Sequence, residues 1–448
     1  MEQASSIGFL TEGTIWKRIT SFALPIFLGN LFQQLYNTVD SLIVGNFLGS
    51  NALAAVSSSG NLTFLLIGFL NGIAIGAGVV IARYFGARDA ENMQRAIHTI
   101  VAFGLAASVA MTVIGVLLTP QILIWMDTPA AVMPNSVVYL KIYFMGSLGF
   151  VMYNVFVGIL QAVGDSRHPL YYLIISSIIN VVLDLVFIGV FHTGVEGAAV
   201  ATAFSQLVSA VLCLIQLMRT REPYRVSLRK IRFDAIMLKQ VIHLGLPSGV
   251  QNSIVALANV IVQANINSFG EMAMAGCGAF SKIEGFAFLP INSFSMALPT
   301  FIGQNIGAGK YERAAKGARF GILSSVILAE VIGMLILVFA PALTAAFEST
   351  PEVIQFGVER ARTSAPFFCL LAYSHSMGAV MRGEGKPVVS MLVMMICWCV
   401  IRVSFLSLVI PLTNNIQFVY WAYPMTWLLS SIAFFVYYKK ADRLHSFA

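Results

Sequence analysis

The sequence predicts an all-α polytopic membrane protein with twelve transmembrane helices in two pseudo-symmetric six-helix lobes, and three observations carry that fold class. The chain of 448 residues is 58% hydrophobic and only 10% charged, with a mean hydropathy of +0.82. A soluble chain carries about 25% charged residues. Apolar runs of about 20 residues, long enough to cross a bilayer, recur from end to end. The second half repeats the first: Leu24-Pro25 is matched by Leu246-Pro247, Asn30 by Asn252 and Asn37 by Asn259, each 222 positions on. Phe85-Gly86-Ala87 with Glu91 is matched by Ile306-Gly307-Ala308 with Glu312, 221 positions on.

The first six spans are read at about 19–45, 53–82, 95–119, 136–161, 169–191 and 195–218. The second six fall at about 241–267, 279–304, 315–340, 356–381, 387–411 and 416–438. Lys17-Arg18 precedes the first span, Arg83 closes the second, and Pro169 and Pro387 open the fifth and eleventh. Between the sixes lies the one long polar connection, with Arg219, Arg221, Arg225, Arg229, Lys230, Arg232 and Lys239. The predicted organisation is therefore an N-terminal lobe over 1–218, a basic linker over 219–240 and a C-terminal lobe over 241–448. Met1 to Trp16 mixes Glu2, Glu12 and other polar residues without a short apolar core, so no cleavable signal is expected there. Both halves begin on the same side, which makes the repeat parallel, a design common among secondary transporters.

Charge sets the expected orientation. The net charge is +7, and its basic residues cluster in the linker and in the loops after even-numbered spans, including Arg83, Arg88, Arg95, Arg167, Lys310, Arg313, Lys316, Arg319, Arg382 and Lys386. Lys439, Lys440 and Arg443 close the chain. The loops after odd-numbered spans lack Lys and Arg, so both termini and the linker are expected in the cytoplasm. This is a membrane charge bias, and no nucleic-acid partner is expected. The five cysteines lie in or beside apolar runs without a zinc or redox spacing.

The informative residues are the polar ones inside spans. Asn180 and Asp184 sit four apart in the fifth span, on one helical face. A charged side chain at membrane depth costs from about 3 kcal/mol upward and usually faces a bundle interior, a partner or an ion. In the first span Gln33, Tyr36, Asn37 and Asp40 form one stripe. Two carboxylates with amide and hydroxyl oxygens suit Na⁺ or a shared proton, and Thr202 and Gln206 in the sixth span could add oxygens. Helix–helix hydrogen bonding is the plainer alternative for each. The second half differs: Val262 stands opposite Asp40 and Arg402 opposite Asp184, so the acid pair belongs to the first half alone. Glu284 in the eighth span could serve a cationic ligand or be neutralised by Lys282 or Arg402. Glu330 in the ninth reads as a partner of some basic group. Gln251, Asn252, Asn259 and Gln263 give the seventh span a polar stripe.

Gly303 to Lys310, GQNIGAGK, departs from a phosphate-binding loop because Gln304 replaces its first glycine and Tyr311 follows the lysine. Direct use of ATP is not expected, and no cofactor is readable. Without H-E-x-x-H, G-x-S-x-G or clustered histidines, an enzyme is not expected either; no filter-like repeat suggests a channel.

The chain resembles the multidrug and toxic compound extrusion (MATE) family. The likeness rests on the Leu-Pro that opens each half, V-D-S-L-I-V-G (Val39 to Gly45) and L-Q-A-V-G-D-S-R-H-P (Leu160 to Pro169). N-V-V-L-D (Asn180 to Asp184) and V-E-G-A-A-V-A-T (Val195 to Thr202) add to it. It is nearest to the bacterial and archaeal branch named for a DNA-damage-inducible protein. The resemblance implies export of cationic amphipathic drugs, coupled to inward H⁺ or Na⁺, across a bacterial or archaeal cytoplasmic membrane by a monomer that alternates between outward- and inward-open forms. Its cation site would be Asp40, Asn180, Asp184 and Thr202, with Asn154 nearby. The same Asp40, Asn180, Asp184 and Thr202 would hold the metal if the ion is Na⁺. Glu284 would be the eighth-span acid that contacts substrate, joined by Gln33, Tyr36, Asn37, Asn259 and Gln263. A flippase for a lipid-linked precursor on a related fold is the alternative.

Overall fold

The computed structural model describes residues 10–125, 128–347 and 350–441, with the side chains at 50, 51, 53, 54, 57–67 and 441 outside the description. Arg443 and most of the leader stretch read above also lie outside the described residues. Twelve helical rods follow one another within them, and they contain no β-strand.

The first six are α1 (Ile15–Leu48), α2 (Ser50–Gly86), α3 (Ala90–Trp125), α4 (Met133–Met145 and Ser147–Ala162), α5 (Arg167–Val190) and α6 (Val195–Arg219). The second six are α7 (Ala235–Asn267), α8 (Glu271–Gly307), α9 (Tyr311–Ala345), α10 (Pro351–Ser364, Ala365–Phe367 and Phe368–Gly383), α11 (Pro387–Thr413) and α12 (Gln417–Ala441). Nine of the rods are long and apolar enough to span alone, and α4 is a bent pair turning by 50° at Gly146. The two that fall short are α1, with its polar stripe, and α10, which carries Glu359, Arg360 and Arg382.

The chain forms two compact units, and the peptides that divide them lie inside helices, at Ala23/Leu24 in α1 and Leu246/Pro247 in α7. These are the Leu-Pro positions of the repeat. A proline frees the carbonyl four residues before it and tolerates a bend there.

In the first unit the basic linker folds onto the start of α3. His98 Nε2 accepts from the Ser227 N–H at 3.0 Å, Thr99 Oγ1 from the Asp234 N–H at 3.2 Å, and Gln94 Nε2 donates to the Pro223 carbonyl at 2.7 Å. Arg95 pairs with Asp234 at 2.7 Å. Asp234 caps α7, its Oδ1 accepting from the N–H groups of Ile236 and Met237 at 3.1 Å. The Met237 N–H and then Arg95 hold the Asp234 carboxyl below its usual range. The first turns of α7 bury Met237, Val241 and Leu244 in the same core as Ile73, Ala77 and Val80 of α2. The backbones touch there: a Cβ on Gly76 would stand 2.3 Å from the Gly245 Cα.

The second unit treats the lead into α1 similarly. Arg313 donates to the carbonyls of Leu10, Glu12 and Gly13, and Lys310 Nζ to that of Thr11 at 2.9 Å. Gln304 Oε1 accepts from the Leu10 N–H at 3.2 Å. The GQNIGAGK segment therefore binds a peptide, with its lysine and glutamine turned to backbone groups. In α10 the break at Ala365–Phe367 exposes new helix-start N–H groups. Glu330 Oε2 accepts one of them, from Cys369, at 2.8 Å. The expected basic partner of Glu330 is thus replaced by a backbone donor.

The glycine contact yields a prediction. Gly245→Val forces its side chain into Ile73, whose Cα already lies 2.7 Å from a Cβ placed there, and should cost about 1–3 kcal/mol of stability. The check is the thermal melting of detergent-purified protein, with Gly278→Ala, where a Cβ meets nothing within 4 Å, melting like the parent.

Candidate functional site

In the first unit, four helices bring their polar side chains to one point. Tyr36 and Asp40 are one turn apart on α1, and Asn180 and Asp184 one turn apart on α5. Directly after Asp184 the helix widens into a π-helical stretch, Leu185–Val190, a departure from regular helix often met at functional positions. Thr202 comes from α6, and Tyr139 and Tyr143 from the first segment of α4.

The carboxyl groups of Asp40 and Asp184 are immediate neighbours, close enough for one to hydrogen-bond the other. Two ionised carboxylates can only accept, so a hydrogen bond between them would need a shared proton. Asp184 and Asn180 are fully buried and Thr202 is 9% exposed, whereas Asp40 is half-buried. With its amide oriented to satisfy its neighbours, Asn180 donates to Asp184 Oδ2 at 3.1 Å and accepts from the Thr202 N–H at 3.3 Å. One amide therefore ties the acid on α5 to the backbone of α6. The Oδ1 atoms of both aspartates are buried with no hydrogen-bond partner among the described residues, a condition that costs about 1–3 kcal/mol per group.

Tyr36 lies beside the Thr202 side chain and in the electrostatic field of both aspartates. Tyr139 lies in the same field, with its ring stacked 6.3 Å from that of Tyr143. These two tyrosines were missed in the sequence. Their i, i+4 spacing in the fourth span was the available signal, but aromatic pairs at that spacing are common in apolar helices.

The other predicted residues divide. Gln33 and Asn37 are exposed on α1, so the stripe delivers Tyr36 and Asp40 alone to the buried cluster. Asn154 on α4 is half-buried and donates to the Phe150 carbonyl of its own helix at 2.7 Å.

The second unit holds its own cluster. Glu284 on α8 faces Arg360 Nη2 on α10 at 3.6 Å, with side chains 12% and 5% exposed. Arg402 lies in the same electrostatic neighbourhood. Arg360 is the first partner of Glu284, whereas Lys282 turns to the Phe347 ring at 5.6 Å. Glu284 is thus neutralised, one of the two alternatives above, but with Arg360 in place of Lys282 as the nearest basic partner. No spacing in the sequence links Arg360 on α10 to Glu284 on α8. Gln263 donates to Asn267 Oδ1 at 2.8 Å, and Asn259 is exposed, both away from this cluster on α7. Gln251 is buried and accepts from Ser390 at 3.0 Å.

The MatE family model matches this chain twice, over residues 25–186 and 247–408, both matches starting at the proline of the Leu-Pro pair. The probable multidrug resistance protein YpnP of Bacillus subtilis is 28% identical over 96% of this chain and 96% of its own length. The probable multidrug resistance protein NorM of Thermotoga maritima is 26% identical over 85% and 82%. A crystal structure of a MATE protein in the bent conformation superposes with a TM-score of 0.92 at 23% identity, over 100% of this chain and 99% of that one. This last likeness is one of fold.

The geometry separates supporting residues from exposed ones. Asn180→Ala leaves both the Asp184 carboxyl and the Thr202 N–H without this partner and should lower stability by about 1–3 kcal/mol. Gln33→Ala and Asn37→Ala should stay within about 0.5 kcal/mol of the parent. Thermal melting in detergent compares the three.

Proposed function

The chain belongs to the MatE family, and from that premise we propose that it is a proton-coupled antiporter, exporting amphipathic organic molecules through coupling at Asp40 and Asp184. Members of the family are multi-pass membrane transporters, not enzymes. The observation that carries the proposed coupling is the facing pair of carboxyl groups, whose contact only a proton makes attractive.

The proton is favoured over Na⁺ by the donor set. A hard cation seeks about six oxygen ligands. Here Asp184 Oδ2 and the Asn180 amide oxygen are already engaged, and the Thr202 side chain lies against Tyr36. The two orphaned Oδ1 atoms are the groups left to receive an ion, and they would be the first Na⁺ ligands if the proton were removed.

In the proposed cycle the pair takes up its proton from outside, through the partly exposed Asp40. The proton joins α1 to α5. Its release separates two like charges in a buried site and favours a second arrangement of α1, for which Pro25 provides the bend. Coupling requires only that cargo and proton prefer different arrangements. Both termini are proposed to be cytoplasmic, in a bacterial or archaeal cytoplasmic membrane.

The organic-cation cargo implied by the resemblance was to lean on Glu284, which Arg360 occupies. In this proposal cations are held instead by the first unit, where Tyr36, Tyr139 and Tyr143 offer ring faces beside the acids.

The reading is tested in proteoliposomes by dye efflux under a pH gradient alone and under a Na⁺ gradient alone. The proton gradient should drive efflux of a cationic dye and the Na⁺ gradient should not. Asp184→Asn and Asp40→Asn should each lower the driven rate by about 100-fold or more while reaching the membrane at parental levels. Full efflux in Asp184→Asn, or efflux driven only by Na⁺, would overturn it.

A further inference from the structure

The second unit buries more positive than negative charge. Arg360 and Arg402 are 4% and 2% exposed, and Glu284 is the carboxylate that faces both. The neighbouring acids on α9 and α10 are engaged elsewhere. Glu330 accepts from the Cys369 N–H at 2.8 Å, and Glu359 accepts from the amides of Gln355 and Gln417 at 3.0 and 2.9 Å. Two guanidiniums against one carboxylate leave one positive charge where water is scarce, an arrangement expensive enough to need a function or a partner.

The hydrogen bonds leave room for that partner. Arg360 Nη1 donates to the Cys277 carbonyl at 3.1 Å and to Ser281 Oγ at 3.3 Å, but its Nε is buried with no partner among the described residues. Its contact with Glu284, at 3.6 Å, is looser than the 2.7–2.9 Å or so of a strong charged bond. Arg402 sends Nε and Nη2 to the same atom, Thr426 Oγ1, at 3.1 and 2.6 Å. Tyr423 presents its ring to both guanidiniums, 5.3 Å from Arg360 and 4.5 Å from Arg402. Ring faces attract cations without cancelling their charge. The cluster is not sealed: Tyr423 and Glu284 are partly exposed, and a Cβ on Gly285 would meet nothing within 4 Å.

We propose that Arg360, Arg402 and Tyr423 form an anion-binding site in the second unit, which takes the carboxylate, sulfonate or phosphate of an aromatic organic anion. The anionic group satisfies the guanidiniums, the planar ring packs against Tyr423, and Glu284 competes with the anion for Arg360. That such an anion is cargo rests on the export reading; its binding does not.

Fluorescein and rhodamine 123 share a xanthene ring and differ in charge, so they form the test pair. Each is titrated into purified protein in neutral detergent, with quenching of tryptophan emission as the readout. Trp398 reports directly, since the Arg402 guanidinium lies 5.5 Å from its ring. Fluorescein should bind saturably, and Arg402→Gln should weaken it by about tenfold or more, with Arg402→Lys recovering part of the loss. Glu284→Gln should tighten fluorescein, and neither Arg402→Gln nor Glu284→Gln should alter rhodamine 123. Thermal melting verifies that Arg402→Gln is folded; if it is not, the sign of the Glu284→Gln effect decides. Parental fluorescein affinity in folded Arg402→Gln, or weakened affinity in Glu284→Gln, overturns the site. Competition by phosphatidylglycerol would support the site and identify a headgroup phosphate as its occupant, whereas lack of competition supports a soluble anion. Intact fluorescein binding without efflux would leave the site standing and remove the cargo reading.

Discussion

Everything proposed for the first unit depends on one contact, the close approach of the carboxyl groups of Asp40 and Asp184. Without a proton, two negative charges would face each other in a site where Asp184 is fully buried, and little solvent would screen them. With the proton, a repulsion becomes a bond that joins α1 to α5. Asn180 and Thr202 fix the α5 side of that contact, and Tyr36 sets the α1 side against α6. A small event at one atom can then bias a whole helix, because the neighbouring helix, α5, is held by its own polar link and cannot simply follow.

The two halves share a fold and use it for opposite polarities. Val262, opposite Asp40, is fully buried in an apolar cluster with Ile266, Leu406 and Tyr420. Arg402, opposite Asp184, is held by Thr426 and two aromatic rings. In both places a π-helical stretch adjoins the charged residue, Leu185–Val190 after Asp184 and Met395–Ile401 before Arg402. The widened turn belongs to the repeat, while the charge it presents belongs to each half. A duplicated scaffold whose halves diverge in charge offers two chemically distinct sites at the cost of one fold.

The twelve rods were legible because membrane spans have a length and an apolar character that few other segments share, and because Leu-Pro recurs at the head of each half. The acid pair was legible for the opposite reason: Asp40 and Asp184 violate that character and sit at helical spacing from Tyr36 and Asn180. Three features were not legible. The bend at Gly146 and the break at Ala365–Phe367 depend on packing, and Gly or Pro in a membrane helix predicts neither. The assignment of the first turns of α1 and α7 to the opposite units depends on loop contacts, such as Arg313 with Leu10, Glu12 and Gly13, that join residues some 300 positions apart. The partner of Glu284 was sought among neighbours in sequence or repeat, whereas Arg360 arrives from another helix altogether. Side-chain pairing across helices leaves almost no trace in a single sequence.

The most direct measurement is of the proton itself. Infrared difference spectroscopy of reconstituted protein, stepped in pH without Na⁺ and with ¹³C-labelled aspartate, reports the carbonyl stretch of protonated carboxyls. The account predicts one isotope-sensitive carbonyl band present near neutral pH, lost as the pair deprotonates, and absent from both Asp40→Asn and Asp184→Asn. A band that survives in both variants, or a parent without any such band that responds only to Na⁺, would contradict it.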